Sequence, residues 1–332
     1  MNDKFYSAFA EHLSGFISMK RNLGFKYKAE EGILARFDRL ACALDMDGPV
    51  VTKAVYDNWM DLSPYESELS KYYRAVCLNQ FLSYLRNLGL KAYGAGLPKY
   101  PDCHFIPHIY TPDEMERIFR ACDGLRLRIW NSFSPVPSMP CLIRMLYATG
   151  IRIGEAIALL GKHVDLDNNC ILLEETKNGK ARLLPINASL AAVCREYLDH
   201  KHRLSGSGQW TETPFFASMA GKGLKRGTVE RRFREILKEA GIPSQGARKG
   251  PRLHDVRHTF ACHSFVQLAE EGVDLYCSWP YLAAYLGHRS LESTERYVRL
   301  TASLYPELLK DGHTMYMGMI PGKKEKDDGK GS

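Results

Sequence analysis

Apolar residues return at intervals of three and four along 29–44, AEEGILARFDRLACAL, and again along 70–89, SKYYRAVCLNQFLSYLRNLG. That period collects them on one face of an α-helix, so two amphipathic helices are predicted, the second closing at Gly89. Between them Thr52 is placed to cap a short helix running to Trp59. Residues 1–97 therefore read as a helical domain. The period then lapses. Residues 93–115, YGAGLPKYPDCHFIPHIYTPDEM, gather glycine and proline instead, which predicts an interdomain linker over 98–110. Thr111-Pro112 followed by Glu114 is a helix start, and it opens a second domain assigned to 111–311. The remaining 312–332 ends in GKKEKDDGKGS, a polar tail expected to stay disordered. No internal repeat is visible.

In the second domain the pattern changes period. An apolar helix stops at Thr149-Gly150, and a new one is predicted from Ile153 to Leu160 with Arg152 just ahead of it. Arg152 can point inward beneath that helix, with Glu155 one turn along to orient it; taken alone, this is also what an ordinary salt bridge looks like. CILLEET and ARLLPI then flank KNGK, and Asn-Gly between apolar runs signals a β-hairpin, which puts Lys177 at a strand end. Farther on, Val229, Phe233, Ile236 and Leu237 keep helical spacing within 222–238, KGLKRGTVERRFREILK. This predicts an amphipathic helix with a basic outer face, either a solubilising surface or a DNA-backbone contact through Lys222, Lys225, Arg226, Arg231 and Arg232. The expected fold is mainly α with a small antiparallel sheet.

Composition narrows the class. The 332 residues are enough for two domains with separate cores. Nine cysteines without a C-x-x-C pair do not form a disulfide framework and fit a reducing cytoplasm. The opening residues lack a basic stretch followed by an apolar one, and no run of eighteen residues is apolar, so neither export nor membrane anchoring is expected. The formal charge of +7 permits a polyanionic partner without demanding one.

The chemistry concentrates in HDVRHTF, residues 254–260. On a helix His254, Arg257 and His258 share one face. Three readings stay open there. Asp255 and Arg257 can be solvated while the histidines bond locally. His254 and His258 can be half of a helical zinc site, although the metalloprotease pattern wants Glu where Asp255 stands. Or Arg257 and a histidine can offer several N–H donors to a phosphate. Downstream, 281–300 reads YLAAYLGHRSLESTERYVRL. Here a helix ends at Gly287, His288 falls in the break, Ser290 can cap a second helix, and Tyr297 follows about two turns on; taken alone beside Val298 and Leu300, Tyr297 reads as core. Cys262 and His263 read as structural.

Arg152, Lys177, His254, Arg257, His288 and Tyr297, in this order and in these contexts, resemble the tyrosine recombinase (phage-type integrase) family. The matching segments are TGIRIGEAIAL, the hairpin lysine, HDVRHTFA and LGHRSLESTERYV, and the likeness covers about residues 105–305. The hairpin departs from the common Gly-Lys-Gly by reading Thr176-Lys177-Asn178, which leaves Lys180 as a rival. The resemblance implies a helical N-terminal DNA-clamping domain, a catalytic domain, and strand cleavage through a 3′-phosphotyrosyl intermediate. In that scheme Arg152 and Arg257 hold the phosphate, Lys177 protonates the leaving 5′ oxygen, His254 serves as base or acid, His288 donates to a nonbridging oxygen, and Tyr297 attacks. Glu155 and His258 would support them. No metal or other cofactor is implied. The implied partners are double-stranded DNA, three further protomers in a homotetramer on two DNA sites, and accessory DNA-bending or directionality proteins. The segment 301–320, after Tyr297, either docks on a neighbour or packs as an ordinary terminal helix. A mobile genetic element is the expected setting. A metal-dependent hydrolase using His254 and His258, and a non-catalytic DNA-binding protein, are the alternatives.

Overall fold

The computed structural model describes residues 5–46, 48–61, 66–94, 96–101, 106–126, 131–174, 181–205, 211–243, 250–273, 275–287, 297 and 300–301. The chain divides into two compact units, Met1–Phe105 and Ile106–Ser332. It is mainly helical, with one small antiparallel sheet.

The first unit carries α1 (Ala10–Asn22), α2 (Lys28–Ala43), α3 (Lys53–Asp61) and α4 (Glu68–Asn87). The predicted apolar faces meet around Phe9, Phe16, Phe37, Trp59 and Phe81, all fully buried. Phe37 and Trp59 meet edge to face at 5.6 Å. Thr52 stands before α3 and accepts from the Val55 amide, and Gly89 ends α4 in the left-handed conformation at φ 79°. A buried guanidinium ties α4 to α3: Arg74 donates to the Trp59 carbonyl and pairs with Glu66 at 2.8 Å. Burying that charge is tolerable only because it is paired.

The second unit begins with α5 (Pro112–Asp123), where Thr111 and Glu114 cap each other's backbone N–H as a capping box. Next come α6 (Met139–Thr149), α7 (Ile153–Ala158), the strands β1 (Val164–Asp165), β2 (Cys170–Leu173) and β3 (Arg182–Pro185), and the helices α8 (Ala188–Ser205), α9 (Arg226–Glu239), α10 (Asp255–Glu270) and α11 (Leu275–Leu286). The strands lie in the order β1-β2-β3, with Ile171 opposite Leu184 and Leu173 opposite Arg182. Ile171, Leu173 and Leu184 point into the core, as period-two alternation requires. α6 packs against α10 and α8 at the centre of this unit.

Two expectations need correction. The helix predicted to reach Leu160 stops at Ala158, because Leu159 turns extended and its carbonyl accepts from the Phe215 amide at 2.7 Å. The basic helix predicted from residue 222 begins only at Arg226. Gly221 adopts φ 71°, Ser218 donates to the Lys222 carbonyl, and Gly223 bridges to Ala217, so Lys222 belongs to a turn and Lys225 to the helix cap. β1, two residues long, and α8, capped by Asn187, are elements the pattern left unread.

Candidate active site

Two helix ends build the site. α6 terminates at Gly150, whose φ of 60° is costly for any residue with a Cβ; one placed there would also lie 2.2 Å from the Phe260 ring. This left-handed stop turns the Gly150 carbonyl toward α10. α11 terminates at Gly287, again left-handed at φ 67°. Both ends leave carbonyls without helical partners and carry the negative pole of the helix dipole, so each favours a cation.

Arginines fill these positions. Arg257, on the first turn of α10 and 3% exposed, donates to the Gly150 carbonyl at 2.6 Å and to the Leu286 carbonyl at 2.8 Å. Arg152, capping α7, donates to the Gly287 carbonyl at 3.4 Å and to Glu155 at 3.0 Å. Arg182, from β3, donates to the Tyr285 carbonyl at 3.2 Å and to both oxygens of Glu155, at 3.2 and 2.9 Å. Three consecutive carbonyls at the end of α11, those of residues 285, 286 and 287, thus each receive a guanidinium from a different element. That crossing fixes the backbone immediately ahead of His288.

The electrostatics match an anion site. Burial lowers the Arg257 pKa to about 10, with Arg152 adding to the shift, so Arg257 stays charged at neutral pH. Burial pushes the Glu155 carboxyl up, but the Arg182 fork and the Arg152 amide outweigh it and hold the group below the usual carboxylate range. Three arginines against one carboxylate leave 3 − 1 = +2 in this cluster among the described residues. Such a concentration of positive charge is unfavourable by itself and is relieved by a bound phosphate.

A row of rings runs beside the cations. His254 lies edge-on to His258 at 5.0 Å, and His258 faces Tyr297 at 5.4 Å. Tyr297 is helical, 4% exposed, and joins Ala261, Cys262, Phe265, Leu282 and Leu286 in a small apolar cluster. Its phenol also feels the charge of Arg257. His254 is exposed, yet the partial enclosure of its ring, followed by the charges of Arg257, Arg252, Arg226 and Arg152, lowers its pKa to about 4. The four arginines give that direction a cause that solvent access does not remove. His254 is therefore neutral at pH 7.

Of the sequence candidates, Arg152, Glu155, Arg257, His258, His254 and Tyr297 come together here. Lys177, Lys180, the Asn178-Gly179 turn, His288, the Ser290 cap, residues 302–320 and the 312–332 tail lie outside the described residues. The solvated reading of Asp255 and Arg257 is overturned: both are buried, and Asp255 accepts from the Arg252 amide at 2.8 Å. Cys262 is buried, and His263 bonds Tyr147 at 2.9 Å. Among the described residues no group of three or more His, Cys, Asp or Glu is placed to hold a metal ion. No helix there is long and apolar enough to cross a membrane.

The basic candidates spread over one end of α9. Arg226 pairs with Glu230 at 2.7 Å and is close enough to act on His254. Arg232 pairs with Glu235, the Lys222 ammonium sits 5.7 Å from the centre of the Phe133 ring, and Lys225 and Arg231 are exposed. Arg182 is the site residue that sequence reasoning missed.

The phage integrase family pattern matches residues 109–303, more than half of the chain. The protein named integrase/recombinase y4rB of Sinorhizobium fredii is 30% identical over 316 residues, covering 92% of this chain and 96% of its own. The fold resembles that of the Tn1549 transposon integrase in complex with transposon right end DNA, at TM-score 0.61 and 17% identity, over 92% of this chain and 99% of the other. It also resembles a lambda integrase tetramer bound to a Holliday junction, at TM-score 0.59 and 17% identity, over 86% of this chain and 76% of the other. The arginines at two helix ends and the tyrosine beside them thus lie within the matched region, and the chain belongs to the phage integrase family of tyrosine recombinases.

Proposed function

We propose that this chain is a site-specific DNA recombinase that cuts and rejoins strands through Tyr297. The observation that carries the reading is the packing of Tyr297 against His258, within the field of an arginine locked between two helix ends. The Tyr297 oxygen attacks the scissile phosphorus and the bond to the 5′ oxygen breaks, leaving a 3′-phosphotyrosyl ester that conserves the bond energy. Arg152 and Arg257 hold the nonbridging oxygens as charge builds on them. Neutral His254 accepts the phenolic proton, and His258, whose ring touches both, keeps the rings in line. Lys177 protonates the departing 5′ oxygen, and His288 donates to a nonbridging oxygen. A 5′ hydroxyl from another strand then reverses the sequence and reseals the backbone.

Further parts of the reading concern the assembly. Residues 1–97 and the catalytic domain of 111–311, joined by the linker of 98–110, both bind the duplex. Arg226, Arg231, Arg232, Lys222 and Lys225 contact the DNA backbone. Exchange between two duplexes needs four cleavages, hence a homotetramer on two sites, with the residues after Tyr297 docking on a neighbour; a lambda integrase tetramer bound to a Holliday junction shares this fold. A mobile element in a cytoplasm is the setting, with accessory proteins choosing direction.

The test is covalent capture. Wild-type protein incubated with a pool of nicked, randomised duplexes in excess EDTA should become joined to DNA ending in a 3′ phosphate, since no step above uses a divalent ion. Adducts or cleavage that disappear in EDTA and return with zinc or magnesium would favour a metal hydrolase built on His254 and His258.

A further inference from the structure

Arg182 has no part in the steps above, yet it is among the most constrained side chains of the cluster. Its strand immediately follows residues 175–180, which carry the hairpin lysines. Its fork covers both oxygens of Glu155, and its Nε reaches the Tyr285 carbonyl. It also lies so close to Gly287 that a Cβ there would stand 2.8 Å from its Nη1. Gly287 is therefore favoured by its φ, and a Cβ there would also push this guanidinium aside.

The consequence concerns Arg152. Glu155 is buried, with its side chain only 4% exposed, and two guanidinium groups share its single charge. The Arg152 guanidinium makes one contact with the carboxylate, at Oε1, and the Arg152 backbone N–H a second, at Oε2, while the Arg182 guanidinium takes both oxygens. Were the Arg182 charge absent, no other charged group described at this carboxylate would compete with the Arg152 guanidinium, only the Arg152 backbone N–H would share its oxygens, and the guanidinium would be drawn onto Glu155. Arg152 would then face Glu155 rather than a phosphate, with its charge neutralised.

We infer that Arg182 is a positioning residue: it occupies Glu155 so that Arg152 keeps its charge and N–H groups for the scissile phosphate. The inference rests on the strand-transfer reading. A rival is that Arg182 only ties β3 to the end of α11. The two differ in what they ask of the side chain, since occupying Glu155 needs a cation whereas the tie needs the fork.

The experiment uses duplexes recovered by covalent capture with the wild-type protein. Cleavage rate, DNA affinity and thermal unfolding are measured for Arg182→Gln, Arg182→Lys and the double variant Arg182→Gln with Glu155→Gln. Arg182→Gln should slow cleavage about tenfold to a hundredfold, short of the roughly 10²–10³ expected for losing a direct donor, with affinity nearly unchanged. Arg182→Lys, which keeps the charge at Glu155 but not the fork, should cleave several-fold faster than Arg182→Gln while staying slower than wild type. The double variant should be at least about tenfold faster than Arg182→Gln, because removing the Glu155 charge frees Arg152 again. A lysine variant as slow as the glutamine one, or a double variant no faster than the single, would overturn the inference and leave the recombinase reading standing. Failure of the wild type to yield any adduct would overturn both.

Discussion

At the scale of single residues, the site depends on where charge is allowed to sit. His254 shows this most directly. An unperturbed histidine titrates near 6.5, whereas enclosure and the arginines around it lower His254 to about 4. The folded protein thus binds this proton more weakly than the unfolded chain does. The neutral ring supports folding fully above about 6.5, and that support is lost as pH falls from there toward 4. Histidine NMR should place the His254 midpoint well below 6.5. Arg226→Gln should raise it, since one of the depressing charges is gone, and bound DNA should raise it further by adding negative charge. A midpoint at 6.5 that neither change moves would contradict the electrostatic picture. Arg257 illustrates what the sequence made visible: the His-x-x-Arg spacing put it on a helix face with two histidines, and it lies there. Arg182 shows what stayed hidden. In ARLLPI it reads as one polar residue of an alternating strand, and its partners are 27 and 103 positions away, distances that no local period encodes.

At the scale of elements, the hairpin is anchored at both feet. Glu174, the last described residue before the lysines, bonds His163 at 3.1 Å, and Arg182 is fixed on the other side. Glu155, His163 and Glu174 line one small cleft. Lys177→Ala should slow cleavage by about 10²–10⁴ while leaving DNA binding nearly intact, as loss of a general acid would. A DNA with sulfur in place of the 5′-bridging oxygen should rescue it, because a thiolate leaves without a proton. Rescue of Lys180→Ala instead would move the acid along the hairpin. Element boundaries were legible wherever the stop signal was chemical: Gly89, Thr111-Pro112 and Gly150 all act where expected. They were illegible where tertiary pairing decided. α7 loses its last turn to the strand-like bond between Leu159 and Phe215, and α9 starts late because Gly221 and Gly223 shape a turn. Two residues of β1 are too few to show a period at all.

At the scale of the whole molecule, helicity, the small sheet and the family were readable because four separated segments carried linked chemistry. Which cations meet DNA was less so, since exposed arginines on α9 differ only in their partners. Arg226 and Arg232 are paired with glutamates, whereas Arg231 is exposed. Arg231→Gln should weaken DNA binding uniformly across sequences and flatten the logarithmic salt dependence by about 0.9, one phosphate contact's worth. An unchanged slope would remove α9 from the interface. Strand exchange by this mechanism requires Tyr297 to become covalently joined to DNA. Protein captured on a nicked duplex can be digested with protease and nuclease and the linked peptide sequenced by mass spectrometry. A phosphonucleotide on Tyr297, and no adduct from Tyr297→Phe despite undiminished DNA binding, is the predicted result. A link at any other residue, or an adduct that survives Tyr297→Phe, would contradict it.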